Sequence, residues 1–382
     1  MWISGSPGSG KSAIASTLVS NLVKRGQLAS FFFFKHDHVI LSDPTVLWRT
    51  VAHDFAQFHP SLKSSILEFL KRPGFRDTTI KLHFDSLIEQ VLWQNHEKLS
   101  TVPLVVVIDA LDECGLDTSH TPQRRVLLES LNRWSRLPRS CKLVVTSRNE
   151  RVPKSFHDSQ LCTQVVLETG DSVGFETTND IRLFFTKAFD DIRPTLGLPD
   201  SWPEKSVFER LTKNASGLFM WAKTAMAFLE EGWDNPIAKL ELILHGKMGN
   251  QNENIDALYQ RVLEYSFKGI DNTTLELFRV VVGAVIVSKI PLGRCYLKYC
   301  LAREDDEADR QINVILDRLS SVMETNGFLS LRHLSFAEFL CDPDRCCNPR
   351  FVIDCTDKVR HNRFQRFWYI YSEVLAAFKG DC

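Results

Sequence analysis

The N-terminal part of the chain alternates short, uninterrupted apolar runs with segments whose apolar residues recur every three or four positions. Uninterrupted apolar runs are typical of parallel strands that are covered on both faces. We predict strands at residues 2–3, 28–35, 104–109, 141–148 and 161–167. Segments with helical spacing lie between them, at residues 12–23, 44–58, 62–70 and 80–93. This alternation predicts a parallel α/β sheet.

From about residue 179 onward the apolar spacing is helical almost throughout. We predict helices at residues 180–189, 204–213, 217–231, 237–244, 255–267 and 273–287. Two further helices, at residues 294–301 and 312–323, precede a short hairpin made of residues 328–331 and 333–336. Two helices followed by a hairpin are the order of elements in a winged helix.

The change of pattern predicts how the 382 residues divide into domains. We expect an α/β core at residues 1–170, a helical domain at 171–252, a winged-helix domain at 253–348 and a helical tail or linker at 349–382. No internal repeat or low-complexity tract interrupts this organisation.

The first predicted strand runs directly into a phosphate-loop motif, G-x-x-x-x-G-K-[ST]. Its residues are Gly5, Ser6, Pro7, Gly8, Ser9, Gly10, Lys11 and Ser12. The glycines allow a tight turn whose N–H groups converge on an anion. Lys11 is then expected to contact the β- and γ-phosphates of a nucleotide, and the Ser12 hydroxyl to bind Mg²⁺. The motif predicts a P-loop NTPase core, since it lies between a strand and a helix.

Two other strand ends carry candidate residues for the same chemistry. Asp109 closes the most apolar strand, where P-loop NTPases place the carboxylate that organises Mg²⁺. Without the phosphate loop, such an aspartate would more commonly cap the next element. The residue after it is Ala110 rather than an acid, so we expect slow hydrolysis. Arg148 ends the next strand as a candidate γ-phosphate sensor; the alternative is a solvated arginine that begins a loop.

Composition excludes some classes of partner. The formal net charge is -1 and the basic residues are dispersed, so no global field favours nucleic acid or an anionic membrane. The longest apolar run, residues 280–287, is far shorter than a membrane span. No export signal is visible, so we expect a cytoplasmic protein whose ten cysteines are reduced. A zinc site is disfavoured because no histidine accompanies Cys341, Cys346, Cys347 and Cys355 at finger-like spacing.

Taken together, five motifs resemble those of NACHT-domain NTPases of the STAND group, and most closely the fungal nephrocystin-3-like family. They are the phosphate loop, residues 109–113 (Asp-Ala-Leu-Asp-Glu), 146–148 (Thr-Ser-Arg), 217–222 (Gly-Leu-Phe-Met-Trp-Ala) and 333–336 (His-Leu-Ser-Phe). The resemblance covers about residues 1–351. It implies an ATP- or GTP-driven signalling switch that uses Mg²⁺, closed with a diphosphate and open and oligomer-forming with a triphosphate. In fungi, such a switch would act in non-self recognition or programmed cell death.

The same resemblance implies roles for individual residues. Asp109 organises Mg²⁺, either Asp112 or Glu113 positions the attacking water, and Arg148 senses the γ-phosphate. His333 of the winged helix contacts the β-phosphate; as an alternative, it is an ordinary hairpin histidine.

The chain departs from the family in two respects. It begins at the phosphate loop, without the upstream segment that lines the base pocket in relatives, and we expect no effector domain or repeat array. Phe219 stands where many distant relatives have proline. Two alternatives therefore stay open: a degenerate interaction module or fragment without nucleotide turnover, and a metabolic phosphotransferase with a helical insertion. DNA binding is disfavoured because Arg294, Lys298, Arg310 and Arg318 do not form a concentrated basic face.

Overall fold

The computed structural model divides into two compact units, Met1–Glu168 and Thr169–Cys382. It describes residues 1–36, 38–71, 79–99, 103–115, 121–148, 162–232, 234–245, 251–288, 292–294, 297 and 306–354. The predicted helix at 294–301 lies largely outside these residues, and the predicted tail helix after residue 355 lies wholly outside them.

The first unit is built on a parallel five-stranded sheet, which confirms the predicted α/β fold class. In chain order the strands are β1 (Trp2–Gly5), β2 (Leu28–Phe33), β3 (Leu104–Asp109), β4 (Cys141–Ser147) and β5 (Gln164–Leu167). Their order across the sheet is β2-β3-β4-β1-β5. The register pairs Phe33 with Asp109 and Gly5 with Leu167. The ends of β1, β2, β3 and β4 therefore meet at one edge of the sheet.

Helices cover both faces of this sheet. They are α1 (Lys11–Lys24), α2 (Leu47–Phe58), α3 (Pro60–Leu70), α4 (Ile80–His83), α5 (Gln90–Gln94) and α6 (Thr121–Arg133). Every residue of β3 is buried, and alternate side chains enter two different cores. Val105 and Val107 pack with α1, whereas Val106 and Ile108 pack in the larger core formed with α2 to α6. This double burial explains why β3 reads as a continuous apolar run.

Three helical segments of the first unit differ from the sequence pattern. Residues 80–94 are helical, but a π-helical segment, Phe84–Glu89, separates α4 from α5. Helix α2 begins at Leu47 rather than at residue 44, because the Asp43 carboxylate accepts a hydrogen bond from Thr45 N and forms a turn there. The pattern did not predict α6, whose polar residues outnumber the few leucines that face the core.

The described residues of the second unit are mainly helical and include one short hairpin. Its helices are α7 (Phe175–Leu196), α8 (Lys205–Ala215), α9 (Phe219–Glu230), α10 (Pro236–Leu244), α11 (Gln251–Ser266), α12 (Asn272–Val287), α13 (Asp306–Arg318) and α14 (Leu334–Cys341). They share one continuous hydrophobic core. The hairpin joins β6 (Met323–Glu324) to β7 (Ser330–Leu331), and an isolated bridge pairs Leu292 with Leu329.

The predicted elements at the end of this unit need correction. The hairpin pairs residues 323–324 with 330–331, whereas residues 334–336 begin a helix instead of forming the second strand. Helix α13 spans residues 306–318, so it begins before residue 312 of the predicted helix and ends before Met323. The error arose because strands of two residues are too short to show an alternating pattern.

The described residues also bear on the membrane and cysteine expectations. Within them, none of the helices combines the length and the apolar character needed to cross a membrane. Cys114, Cys141, Cys162, Cys346 and Cys347 are free thiols. Cys341 is disulfide-bonded, so the expectation of ten reduced thiols is wrong for this residue. Among the same residues, no cluster of three or more acidic, histidine or cysteine side chains is arranged to hold a metal ion.

Candidate functional site

The candidate site lies where β1, β3 and β4 end. Parallel strands present their carboxyl ends at one edge, and ligands of open α/β sheets bind at that edge. The loop after β1 carries the phosphate-loop motif, the turn after β3 carries Asp112 and Glu113, and β4 is followed by Arg148. Sheet order therefore brings together segments that are more than 100 residues apart in sequence.

Backbone conformation explains why glycines occupy the phosphate loop. Gly8 and Gly10 have φ angles of 79° and 96°, a region that L side chains rarely adopt. A Cβ atom at Gly5 would lie 2.8 Å from Ser9 Oγ and 3.0 Å from the Leu167 carbonyl oxygen. Only a glycine fits there without a shift of the backbone of β5. Helix α1 then begins at Lys11, and the first N–H groups of a helix have no acceptor within the helix.

Lys11 folds back over this loop. Its Nζ donates hydrogen bonds to the carbonyl oxygens of Gly5 and Ser6, each at 2.8 Å. Burial is the main reason that the pKa of Lys11 is lowered to about 8, and the positive charge of Arg148 also lowers it. The negative charges of Asp112, Asp109 and Glu113 act in the opposite direction. Lys11 is therefore within electrostatic reach of every other candidate residue that follows β3 and β4.

Ser12 and Asp109, the two predicted Mg²⁺ ligands, are hydrogen-bonded to each other through their side chains. Asp109 is 3% exposed, and Thr146 Oγ1 donates to its Oδ1 at 2.5 Å. The same threonine oxygen accepts a hydrogen bond from Ala110 N at 2.9 Å. Burial raises the pKa of Asp109, while the hydrogen bonds from Thr146 and Ser12 oppose that rise. A divalent cation bound to Asp109 would place a positive charge directly against this buried carboxylate and would favour its ionised form.

The two acidic residues after Asp109 have different partners. Asp112 binds Arg148 twice: Oδ2 lies 3.1 Å from the guanidinium Nε, and Oδ1 accepts from Arg148 N at 3.1 Å. Glu113 instead turns toward His36, whose backbone N donates to Oε2 at 3.0 Å and whose Nδ1 lies 3.3 Å from the same atom. Burial opposes ionisation of Glu113, but the contacts with His36 outweigh it and the pKa of Glu113 is lowered.

His333 belongs to the second unit, where its side chain caps the N-terminus of α14. Its Nδ1 accepts a hydrogen bond from Ser335 N at 3.1 Å. The role of His333 as a phosphate contact stays a prediction.

Sequence reasoning assigned no role to two residues of this cluster, Thr146 and His36. Thr146 was noted only as part of a motif, although it hydrogen-bonds both Asp109 and the residue after it. His36 follows β2 at the same edge at which Asp109 ends β3. A polar residue at the end of a strand or directly after it, repeated in several neighbouring strands, is the signal that could have identified both.

The residues present fit a nucleotide phosphate chain with Mg²⁺. Ser9 Oγ is buried in the loop and has no hydrogen-bond partner in the described part of the chain. Such an orphaned hydroxyl, beside helix N–H groups and a lysine, suits a phosphate oxygen. Ser12 and Asp109 supply the hydroxyl and carboxylate oxygens that Mg²⁺ prefers.

Comparisons with known proteins agree with this chemistry. Residues 1–148 match the family described as Nephrocystin 3, N-terminal. The vegetative incompatibility protein HET-E-1 of Podospora anserina is 23% identical over 319 residues, which cover 81% of this chain. The chain spans only 22% of the length of that relative.

Two solved structures are similar over most of the chain. A STAND protein with a tetratricopeptide repeat sensor, PH0952 from Pyrococcus horikoshii, aligns over 88% of this chain and 39% of its own, with 13% identity and a TM-score of 0.40. The ORC2 protein of Aeropyrum pernix aligns over 95% and 88%, with 11% identity and a TM-score of 0.36. TM-scores of this size do not by themselves identify a shared fold. The family match over residues 1–148 and the similarity to HET-E-1 support a NACHT-type STAND P-loop NTPase, and the geometry of the phosphate loop is consistent with such a protein.

Proposed function

We propose that the chain is a nucleotide-dependent signalling switch, driven by ATP or GTP with Mg²⁺, in which slow hydrolysis is coupled to lid opening and oligomerisation. The observation that carries this proposal is the convergence of Lys11, Asp109, Asp112, Glu113 and Arg148 in one electrostatic cluster beside the phosphate loop. Catalysis of phosphoryl transfer is largely a matter of positioning and charge stabilisation, and these residues provide both.

Each residue would act from the place it occupies. The N–H groups at the start of α1 would bind phosphate oxygens, and Lys11 would exchange the Gly5 and Ser6 carbonyls for the β- and γ-phosphates. Ser12 and Asp109 would hold Mg²⁺, which neutralises charge that develops on the phosphates. Arg148 would sense the γ-phosphate, and His333 would contact the β-phosphate, as the family resemblance implies.

The residue after Asp109 and the partners of the two following acidic residues support slow hydrolysis. Position 110 is alanine, so no carboxylate directly follows Asp109. Asp112 is engaged by Arg148 through both oxygens, and Glu113 is held by His36 through one. Asp112 would have to change partners before it could orient a water molecule, and Glu113 could do so only through Oε1. This restriction suits a switch better than a metabolic phosphotransferase.

The proposed biological role is based on the similarity to HET-E-1 rather than on the geometry of the candidate site. The name of HET-E-1 refers to vegetative incompatibility in a fungus, and the chain covers 81% of its own length in that match. A role in fungal non-self recognition or programmed cell death, in the cytoplasm and through homo-oligomers, is therefore part of this proposal. Nucleic acid has no place in it, since the net charge is only -1.

The test is nucleotide binding by the purified chain, measured with fluorescent ADP and ATP analogues. Lys11→Ala is expected to weaken binding by at least about tenfold, the effect of losing a charge-assisted hydrogen bond. The matched control is Lys24→Ala, which removes an exposed lysine from the last turn of the same helix. Binding that is unaffected by Lys11→Ala, or no binding by the wild type, would favour the degenerate interaction module instead.

A further inference from the structure

The segment that follows β2 is joined by backbone hydrogen bonds to the turn that follows β3. Phe34 N donates to the Asp109 carbonyl oxygen at 3.1 Å, and Gly115 N donates to the Ser42 carbonyl oxygen at 2.9 Å. His36 lies between these two contacts along the chain and adds a contact of its side chain with the same turn. Because the backbone contacts already join the two segments, the imidazole is not needed to hold them together.

The contact of His36 with Glu113 uses one carboxylate oxygen. Oε2 accepts from His36 N at 3.0 Å and lies 3.3 Å from His36 Nδ1. Oε1 makes no hydrogen bond with any other residue in the described part of the chain, and the Glu113 side chain keeps 23% of its surface exposed. Two donors on one oxygen fix the direction of the carboxylate and leave the second oxygen for a water molecule.

The chemistry of the two groups decides which of them donates. The pKa of Glu113 is lowered, chiefly by its contacts with His36, so this carboxylate is ionised at neutral pH. An ionised carboxylate can only accept hydrogen bonds, so His36 Nδ1 must carry a proton. His59, which caps α3, is the opposite case: its Nδ1 accepts from Ser61 N at 3.2 Å and therefore carries none. The difference between these two histidines can be measured.

Glu113 is also placed to take part in the chemistry of the phosphate loop. Its charge raises the pKa of Lys11, so the two side chains lie within electrostatic reach of each other. Asp112, by contrast, is engaged by Arg148 through both carboxylate oxygens. Of these two acids, Glu113 is therefore the one that keeps an oxygen available for water.

We infer that His36 is a positioning residue which holds the Glu113 carboxylate by Oε2, so that Oε1 orients the water that attacks the γ-phosphate of a bound nucleoside triphosphate. In this step the water oxygen bonds to the γ-phosphorus, and the bond from that phosphorus to the leaving diphosphate oxygen breaks. One proton of the water passes to Glu113 Oε1. The role in hydrolysis rests on the proposed function, whereas the hydrogen bond between His36 and Glu113 does not.

The hydrogen bond is tested by ¹⁵N NMR of the imidazole nitrogens in the full chain without nucleotide, at about pH 8, where an ordinary histidine is neutral. His36 should show a protonated Nδ1 and His59 an unprotonated one. Glu113→Ala should lower the Nδ1–H fraction of His36 by about two- to fivefold, because the acceptor is lost, and should leave the His59 signals unchanged. An unprotonated His36 Nδ1 in the wild type would overturn the inference.

The positioning role is tested by single-turnover hydrolysis. His36→Ala should lower the rate constant by about tenfold, the effect of losing one hydrogen bond to a charged group, and leave triphosphate affinity unchanged. His36→Asn should restore most of the rate, because the asparagine amide can donate from nearly the position of Nδ1. The matched control is His53→Ala, which removes a 70% exposed histidine that contacts Asp54 on α2.

A double-mutant cycle separates positioning from a general loss of structure. In the Glu113→Gln background, His36→Ala should change the rate by less than about twofold, because the carboxylate that His36 positions is already absent. Losses that multiply in the double variant, or equal rates in His36→Ala and the wild type, would overturn the positioning role. A wild type that binds no nucleotide would overturn the proposed function and the role in hydrolysis together, while the hydrogen bond measured by NMR would stand.

Discussion

Arg148 binds Asp112 through both its guanidinium and its own backbone N–H, so the candidate sensor and one candidate catalytic acid form a single unit. The two contacts, each of 3.1 Å, use both carboxylate oxygens of Asp112. Their side chains are 13% and 5% exposed, so solvent competes little for either group. Asp112 is therefore placed to orient Arg148. We accordingly assign different roles to Asp112 and Glu113, the two acids after Asp109.

We predict that Glu113, rather than Asp112, positions the attacking water. The pKa of Glu113 is lowered, so this carboxylate is ionised at neutral pH, and the contact with His36 occupies only Oε2. Glu113→Gln should lower single-turnover hydrolysis by about 10²-fold or more, with little change in triphosphate affinity. Asp112→Asn should weaken triphosphate binding instead, because Arg148 loses its partner. The control is Glu129→Gln, on the exposed side of α6; equal losses in both acid variants would contradict this division.

We also predict that nucleotide affinity falls as the pH rises above about 8. Burial lowers the pKa of Lys11 to about 8, so the free protein loses this positive charge in mildly alkaline solution. Above that pH the dissociation constant should rise by up to about tenfold per unit, and binding should take up a proton. Titrations from about pH 7 to 9.5, with calorimetry in two buffers of different ionisation enthalpy, measure both effects.

The same group has the opposite influence on folding. Between about pH 8 and 10.5, the unfolded chain keeps the Lys11 proton that the folded protein has lost, so this residue makes the free energy of unfolding increase with pH. A nucleotide affinity that stays constant over this interval, in a protein that still requires Lys11 for binding, would show that Lys11 remains charged. Lys24→Ala should leave both pH profiles unchanged.

The strands and the phosphate loop could be predicted from sequence because their signals are local. A continuous apolar run such as β3 reflects burial on both faces, and the motif from Gly5 to Ser12 specifies its own backbone turn. The pairing of His36 with Glu113 could not be predicted in this way, since 77 residues separate them. It follows from the register of β2 beside β3, which no local pattern encodes.

The second unit shows the same limit for short elements. Its long helices were predicted because each buries a stripe of apolar residues in one core. The hairpin was misplaced because β6 contains only two residues and is defined by its partner, Leu331 opposite Met323. The contact between Tyr259 and Ser335, beside the cap of α14, spans 76 residues and likewise has no local signal.

Thr146→Val should destabilise the first unit, although valine has nearly the same shape as threonine. Thr146 is fully buried, and its hydroxyl serves Asp109 Oδ1 and Ala110 N together. Ala110 has a φ of 54°, so its backbone depends on this hydrogen bond to hold an unfavourable conformation. We expect a loss of about 1–3 kcal/mol in chemical denaturation, with a higher pKa of Asp109 and weaker Mg²⁺-dependent binding. Thr17→Val, at an exposed hydroxyl on α1, should cost much less; equal losses would show that the Thr146 hydroxyl is dispensable.

The last prediction concerns a buried ion pair in the second unit. Lys239 Nζ donates to the carbonyl oxygens of Phe228 and Glu231 at 3.0 and 2.7 Å, and lies 3.7 Å from Glu231 Oε2. Glu231 Oε1 accepts from Ser321 N at 3.0 Å. Burial lowers the pKa of Lys239 and raises the pKa of Glu231, so each charge depends on the other for compensation.

Lys239→Met should therefore lower the free energy of unfolding by about 3–5 kcal/mol, because it leaves the Glu231 carboxylate buried without its cation. Adding Glu231→Gln to that variant should restore part of the loss, since the amide keeps a hydrogen-bond acceptor for Ser321 N without a charge. Urea denaturation followed by tryptophan fluorescence measures both, and Lys223→Met, at an exposed position on α9, is the matched control. If the double variant were less stable than Lys239→Met alone, the loss would come from packing of the lysine stem and not from the unpaired charge.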